Sequence, residues 1–364
     1  MSLSPAQEDR LTRFAQLLVT QQAAKVIVPA QQASTGFWFG GGNMVRHSDG
    51  TLDTVGRYRN FGDSRTGVGA GERGLELAIF RSTDNGDTFE KLISWSKRDL
   101  DLPGRPVLSI EGSALLLRPD GVELYVSTEK DQIGYPEGFE SFLKPGTGVW
   151  TIDRLSAESM EGLKTAEVEP FVECRRPEHV HVKDPFLYTH GEQTDVLFCS
   201  HPFCWSSSNT GYIDRDRSRD AVYELFARGP AWDVAMTRGT AILDVPRIGD
   251  FADQQVSLVF YDGGECVRNL DEHSSAVKRP RGYSCEELGG VGYIVDGDYG
   301  TFTRLSRNFP LFISPMGTGC SRYIDVLTTP DQFIVTWQQS QTDLSQPLVM
   351  NRVPREQVEK VLTS

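Results

Sequence analysis

The chain has 364 residues, and its 35 glycines and 19 prolines indicate many short strands and turns rather than long helices. A net charge of -13 at pH 7 argues against a nucleic-acid-binding protein, which would need a basic face. The six cysteines form neither CxxC pairs nor the Cys/His spacing of zinc sites, so neither a structural metal nor a disulfide framework is indicated.

The sequence also lacks the signals of membrane insertion and export. No window contains eighteen consecutive apolar residues, and the N-terminus lacks a basic region followed by an apolar run and a cleavage site. We therefore expect a cytoplasmic protein, or a secreted one whose signal peptide has been removed. We expect no cofactor, no metal, and neither a nucleic-acid nor a membrane partner, and the sequence leaves the oligomeric state open.

The two ends of the chain have helical patterns. Apolar residues recur at helical spacing after Ser4-Pro5, which predicts an N-terminal helix within residues 1–24: Leu11, Phe14, Leu17 and Leu18. A second short helix is expected after Pro354. Residues 25–364 are predicted to form one all-β domain, with Lys25 to Pro29 as a strand that joins the last part of the domain.

Hairpin-like strand pairs recur along this β region at nearly constant spacing. The starts of the repeats are marked by Asn43, Glu111, Asp184, Asp253 and Arg322, which are 68, 73, 69 and 69 residues apart. A period of about seventy residues, repeated five times, is typical of four-stranded blades that must stack to bury their faces. The sequence therefore predicts a five-bladed β-propeller with an N-terminal helix.

The stretch RSTDNGDTF, residues 81–89, indicates a tight turn between two strands. Asp84 can accept hydrogen bonds from amides across the turn, Gly86 can adopt a positive φ, and Phe89 can pack beneath the loop. We predict that this turn joins the two outer strands of blade 1. A degenerate copy, residues 298–302, is expected in blade 4.

These motifs resemble two groups of propeller proteins. STDNGDTF is similar to the Asp-box of sialidase-type proteins, and the blade count resembles that of the five-bladed glycoside hydrolases of the arabinanase and invertase clan. KDPF, residues 183–186, is similar to the Arg-Asp-Pro motif of invertase-like enzymes, which implies that Asp184 stabilises the transition state. The chain departs from these families at Asn43, where they have an aspartate, and their blade-four glutamate is replaced by candidates: Asp253, Asp262 and Glu265.

Acidic residues at the starts of innermost strands converge on the axis of a propeller, although they are far apart in sequence. Hydrolysis of a glycoside needs one protonated and one ionised carboxyl group. Glu111 and Asp184 are the first predicted pair. Asp184 is expected to act as a charge stabiliser or pKa modulator, and Glu111 with Asp262 or Glu265 as the acid and the base. The alternative is that each acid simply caps backbone amides.

An arginine-rich, glycine-rich loop follows a strand of blade 1. Guanidinium groups bind carboxylates and sulfates in a bidentate manner, so we predict an anionic saccharide as substrate, bound by Arg57, Arg59, Arg65 and Arg322. The alternative is a structural network with nearby acids such as Asp63, Glu72 and Glu76.

The sequence predicts a glycoside hydrolase, and two other functions stay open. His179 and His181 alternate, so both would face one side of a strand, where they could bind substrate or, with Tyr283, catalyse elimination from a uronate as a polysaccharide lyase. A non-catalytic carbohydrate-binding propeller would use the same arginines without turnover. Three tryptophans could stack on sugar rings, although most aromatic residues of a β protein belong to its core: Trp38, Trp205 and Trp337.

Overall fold

The computed structural model describes residues 3–59, 74–266, 280, 282 and 286–364. Its strands form five blades. Blade 1 contains β2 (Trp38–Gly40), β3 (Met44–Arg46), β4 (Leu52–Arg59), β5 (Glu76–Ser82) and β6 (Glu90–Ser96). Blade 2 contains β7 (Val107–Arg118), β8 (Gly121–Lys130), β9 (Val149–Ala157) and β10 (Glu169–Val172).

The remaining blades have the same antiparallel arrangement. Blade 3 contains β11 (His181–His190), β12 (Gln193–His201) and β13 (Ser208–Asp214). Blade 4 contains β14 (Met236–Asp244), β15 (Val256–Gly264), β16 (Leu288–Val295) and β17 (Asp298–Arg304). Blade 5 contains β18 (Ser321–Thr328), β19 (Gln332–Gln339), β20 (Leu348–Pro354) and, from the start of the chain, β1 (Lys25–Val28).

The ring is closed by strand pairing between the two ends of the chain. β1 pairs antiparallel with β20, which confirms the strand predicted at Lys25 to Pro29. The innermost strands contact one another in the order β3, β7, β11, β14, β18 and back to β3. The predicted five-bladed propeller is therefore confirmed.

Both predicted helices are present and pack together against the last blade. α1 (Pro5–Leu18) begins with a capping box in which the Ser4 side chain accepts from the Gln7 amide. Its buried face, Leu11, Phe14 and Leu18, joins the core that α2 (Arg355–Thr363) and β20 also enter. Neither helix in the described ranges combines the length and the hydropathy needed to cross a membrane.

The period of about seventy residues predicts the start of blade 4 incorrectly. Asp253 precedes β15, the second strand of blade 4, whereas the innermost strand of that blade is β14. The segment QVSLVFYDGG is therefore a second strand. Three of the other markers, Glu111, Asp184 and Arg322, lie on innermost strands. Asn43 directly precedes β3, in the gap between β2 and β3, which both pair with β4.

The turn around Asp84 joins β5 to β6, the two outer strands of blade 1, as predicted. Asp84 Oδ1 accepts from the amides of Thr88 at 2.9 Å and Asp87 at 3.1 Å, while Gly86 has a φ of 89°. In blade 4, Asp298 Oδ1 accepts from the Gly300 amide at 2.9 Å. The turn at Asp84 is thus the more extensively bonded of the two.

Replacing Asp84 with alanine is expected to lower the melting temperature. Hydrogen bonds from the Thr88 hydroxyl and amide hold the pKa of Asp84 well below its ordinary value. The stabilisation is therefore present above about pH 4, the ordinary pKa of an aspartate, and is lost as the pH falls. Thermal unfolding of the variant and the parent between pH 7 and pH 3 tests this, with Asp298→Ala as the control that should lose less. An unchanged melting temperature at pH 7 would show that the network contributes nothing.

Candidate active site

The innermost strands all begin at one end of the ring, called here the mouth. One cavity shows this, because it is lined by residues from the first parts of four innermost strands: Ser113 in β7, Asp184 in β11, Arg238 in β14 and Tyr323 in β18. Charged side chains buried at the mouth come from four innermost strands and lie within an irregularity or up to two residues before it: Glu111, Lys183, Arg238 and Arg322.

Each of these irregularities is a bulge whose free amide is bound by a polar group. The Asp184 amide donates to Ser127 Oγ at 3.1 Å, and the Tyr323 amide donates to Asp262 Oδ1 at 3.0 Å. Asp184 and Tyr323 have φ values of 53° and 52°, a region that non-glycine residues rarely occupy. Such backbone conformations persist where surrounding contacts enforce them, and they concentrate at functional sites.

The side chain of Asn43, just before β3 of blade 1, forms two hydrogen bonds with the backbone of blade 2. Its side-chain oxygen accepts from the Leu115 amide at 2.7 Å, and its nitrogen donates to the Leu115 carbonyl at 2.9 Å. The residue that stands in the place of the families' aspartate therefore joins the innermost strands of blades 1 and 2.

The first charged cluster lies between blades 1 and 2. Nε and Nη2 of Arg57 donate to Glu111 Oε2 at 3.2 and 2.9 Å, and Arg59 Nη1 lies 3.7 Å from Oε1. The guanidinium carbons of Arg57 and Arg59 lie 5.8 and 4.9 Å from the ring centroid of Trp38. Burial alone would raise the pKa of Glu111, but the charges of Arg57, Lys183 and Arg59 outweigh it and lower that pKa to about 2.

The second cluster surrounds Asp184 in blade 3. Its Oδ1 accepts from the Gly112 amide at 2.9 Å, and its Oδ2 lies 3.6 Å from Lys183 Nζ and accepts from the Cys199 thiol at 3.4 Å. The Lys183 ammonium lies 5.4 Å from the Trp150 ring centroid. These contacts direct both carboxylate oxygens of Asp184 and keep it beside Glu111, the neighbour of Gly112.

The third cluster is formed by blades 4 and 5. Glu287 accepts from Arg238 through Oε1 and from Arg322 through Oε2, the latter at 2.5 Å. Asp262 lies at the end of β15 and is 1% exposed. Burial raises the pKa of Asp262 to about 8, with a further contribution from the negative charge of Glu287 against the opposing charge of Arg238.

A cavity on the axis connects the second and third clusters. Eight of the residues that line it carry polar side chains: Asn43, Ser113, Asp184, Cys199, Arg238, Thr240, Asp262 and Tyr323. The Tyr323 hydroxyl lies 3.4 Å from Arg57 Nη2, and Asp262 accepts from the amide of the same tyrosine. Tyr323 therefore links the arginine bound to Glu111 with the carboxyl group of Asp262.

Several predicted site residues are thus brought together: Glu111, Asp184, Asp262, Arg57, Arg59 and Arg322. Glu265 lies directly after β15 and is partly exposed, so its role as an alternative acid stays a prediction. Arg65 and Tyr283 lie outside the described residues.

The histidine prediction is wrong in its geometry, because His179 lies in a 3-10 turn before β11 begins at His181. His179 stacks on Tyr223 at 4.5 Å. His181 contacts the Tyr135 hydroxyl through Nε2 at 2.9 Å, and its Nδ1 accepts from the Trp150 amide at 3.4 Å. Burial lowers the pKa of His181 to about 3, so it is neutral.

Lys183, Arg238, Tyr323 and Cys199 were not predicted as site residues from the sequence. The available signal was a charged residue within an otherwise apolar innermost strand, followed by a residue suited to a bulge, as in RG at Arg238-Gly239. Of the tryptophans, Trp38 contacts the arginines, Trp205 packs on His181 at 4.3 Å, and Trp337 is part of the core.

The amino-acid sequence matches no protein-family model and no curated protein sequence. The fold is nevertheless similar to solved structures. An alpha-L-arabinofuranosidase from Lactobacillus brevis matches with a TM-score of 0.56 and 10% identity, over 90% of this chain and 91% of that one.

Two further structures contain saccharides. The GH43_1 enzyme from Xanthomonas citri complexed with xylotriose has a TM-score of 0.54 and 11% identity, over 96% of this chain and 93% of its own. A Penicillium chrysogenum alpha-L-arabinanase complexed with arabinobiose has a TM-score of 0.51 and 9% identity, over 91% and 98%. At these identities the likeness establishes that the chain has the propeller fold of these enzymes.

Proposed function

We propose that the protein is a glycoside hydrolase whose active site is the mouth of the propeller. The observation that carries the proposal is a pair of buried carboxyl groups whose pKa values are shifted in opposite directions. Glu111 is ionised at neutral pH, whereas Asp262 keeps its proton. Pairs of acids separated in this way by their surroundings are what glycoside hydrolysis requires.

The roles follow from the protonation states. Asp262 acts as the general acid that protonates the leaving-group oxygen, because only a protonated carboxyl group can do so. Glu111 is the ionised partner, acting as general base toward water or as nucleophile. Asp184, whose orientation is fixed by Gly112 and Cys199, stabilises positive charge that develops on the sugar ring.

We further propose that the substrate is acidic or sulfated. The three clusters described above contain five cationic side chains and four carboxyl groups, one of which, Asp262, is protonated: Arg57, Arg59, Lys183, Arg238 and Arg322 with Glu111, Asp184, Asp262 and Glu287. An excess of positive charge within a chain of net charge -13 favours an anionic ligand at this position.

Mass spectrometry of saccharides incubated with the protein in ¹⁸O-water tests both proposals. The panel contains arabinobiose and xylotriose as neutral members, and uronate-bearing, sialylated and sulfated oligosaccharides as anionic ones. We expect cleavage of an anionic member, with fragments that together gain one labelled water. Cleavage of neutral members alone would overturn the anionic substrate, and fragments without added water would indicate elimination. An intact panel, with one member retained in a binding assay, would indicate a binding protein.

A further inference from the structure

The thiol of Cys199 is placed where a hydrogen-bond donor to Asp184 is needed. Cys199 lies on β12, is 1% exposed and lines the axial cavity. Its Sγ is 3.4 Å from Asp184 Oδ2, the oxygen opposite the one that accepts from the Gly112 amide. Burial and the charge of Asp184 raise the pKa of the Cys199 thiol, so the sulfur keeps its proton.

A second acceptor lies near the sulfur. His201 Nε2 is 3.9 Å from Cys199 Sγ, while His201 Nδ1 lies 3.1 Å from the Ser207 carbonyl oxygen. A carbonyl accepts only, so Nδ1 carries the proton of the neutral ring and Nε2 is left as an acceptor. The thiol proton therefore has two acceptors, and the shorter contact is to the carboxylate.

We propose that Cys199 is a positioning residue, whose thiol donates to Asp184 Oδ2 and so fixes the carboxylate in the orientation that stabilises charge in the cavity. The inference rests on the proposed hydrolase function for its consequence in catalysis, but the hydrogen bond itself does not. The left-handed conformation of Asp184 supports it, because a strained residue needs contacts on its side chain as well as on its amide.

Two substitutions of Cys199 distinguish loss of the hydrogen bond to Asp184 from loss of packing around the side chain. Cys199→Ser keeps a donor of nearly the same size, whereas Cys199→Ala removes it. We expect the alanine variant to lose roughly tenfold to a hundredfold in kcat, the range of a hydrogen bond to a charged group, with a small change in KM, and the serine variant to recover most of that loss. Cys174→Ala, at a buried thiol of the blade 2 and 3 core, controls for lost packing and should keep its kcat.

An infrared measurement tests the hydrogen bond without any turnover. The difference spectrum between the parent and Cys199→Ser isolates the S–H stretching band of Cys199. We expect Asp184→Asn to shift this band to higher frequency, because an amide oxygen is a weaker acceptor than a carboxylate, whereas Cys174→Ala should leave the band in place.

The two readouts also distinguish the two proposals. A band that Asp184→Asn does not move would overturn the positioning role, as would serine and alanine variants with equal kcat. A shifted band in a protein that cleaves no saccharide would support the hydrogen bond and reject the hydrolase function.

Discussion

Replacing Glu111 with glutamine is expected to reduce turnover about 100- to 10,000-fold, the usual contribution of a general base or nucleophile. The amide has no charge to activate water, and no described contact suggests a group that would replace it between Arg57 and Arg59. Initial rates on the substrate found by mass spectrometry would measure the loss. Sodium azide should restore part of the turnover of Glu111→Ala, because a small anion can occupy the space beside Arg57.

The same substitution also lowers stability, which makes a matched control necessary. Removing one partner of a buried ion pair costs about 3–5 kcal/mol. Glu123 in β8 is buried to a similar degree and accepts from Arg215, but it lies near the opposite end of its blade from the mouth. Glu123→Gln should therefore lose stability without losing kcat. Equal losses of kcat in the two variants would show that Glu111 has only a structural role.

The pH dependence of stability provides a check on the environment of Glu111. Its pKa is about 2 in the folded protein, below the ordinary value of about 4.3. The carboxylate therefore contributes stability above about pH 4, and this contribution is lost as the pH falls toward 2. The difference in unfolding free energy between the parent and Glu111→Gln should shrink over that window.

The sequence was most informative where two strands of a blade form a tight hairpin. In blades 2, 3 and 5 the first and second strands are consecutive, with short turns between them, so the period locates Glu111, Asp184 and Arg322 on innermost strands. In blade 4, residues 245–255 separate β14 from β15 and include a 3-10 turn. Because blade 4 lacks the hairpin pattern, the seventy-residue period placed the start of its innermost strand at Asp253 and not near the bulge at Gly239.

That error in blade 4 also explains why Arg238 was missed, since it directly precedes Gly239. The ion pairs of Glu287 could not be predicted for a different reason. It lies in a polar stretch beside Glu286, and only the folded ring shows that its side chain joins Arg238 and Arg322. The protonation states also depend on the tertiary structure. Asp262 follows a run of apolar residues in the sequence, as many turn aspartates do, but it lies within β15, and burial raises its pKa.

Replacing Asp262 with asparagine is expected to abolish the proton donation to the leaving group. For saccharides, whose leaving groups are poor, kcat/KM should fall about 100- to 10,000-fold, as expected for loss of a general acid. For an aryl glycoside of the same sugar with a dinitrophenolate leaving group, which needs no proton, the loss should be far smaller. In the parent, activity should decline as the pH rises through about 8, where Asp262 ionises, and Asp262→Asn should lack this decline.

Asp325→Asn is the matched control for this experiment, because burial also raises the pKa of Asp325, to about 7, and it too accepts from a backbone amide, that of Met44. It should keep the leaving-group dependence of the parent.

The pH dependence of stability tests the protonation state of Asp262 independently of activity. Because the pKa of Asp262 is raised in the folded protein, this residue favours the folded state below about pH 4, and the stabilisation is lost as the pH rises to about 8. The parent should therefore lose stability relative to Asp262→Asn across that window. If both glycosides lose activity equally in Asp262→Asn, the proton must come from another group, and Glu265 is then the residue to replace.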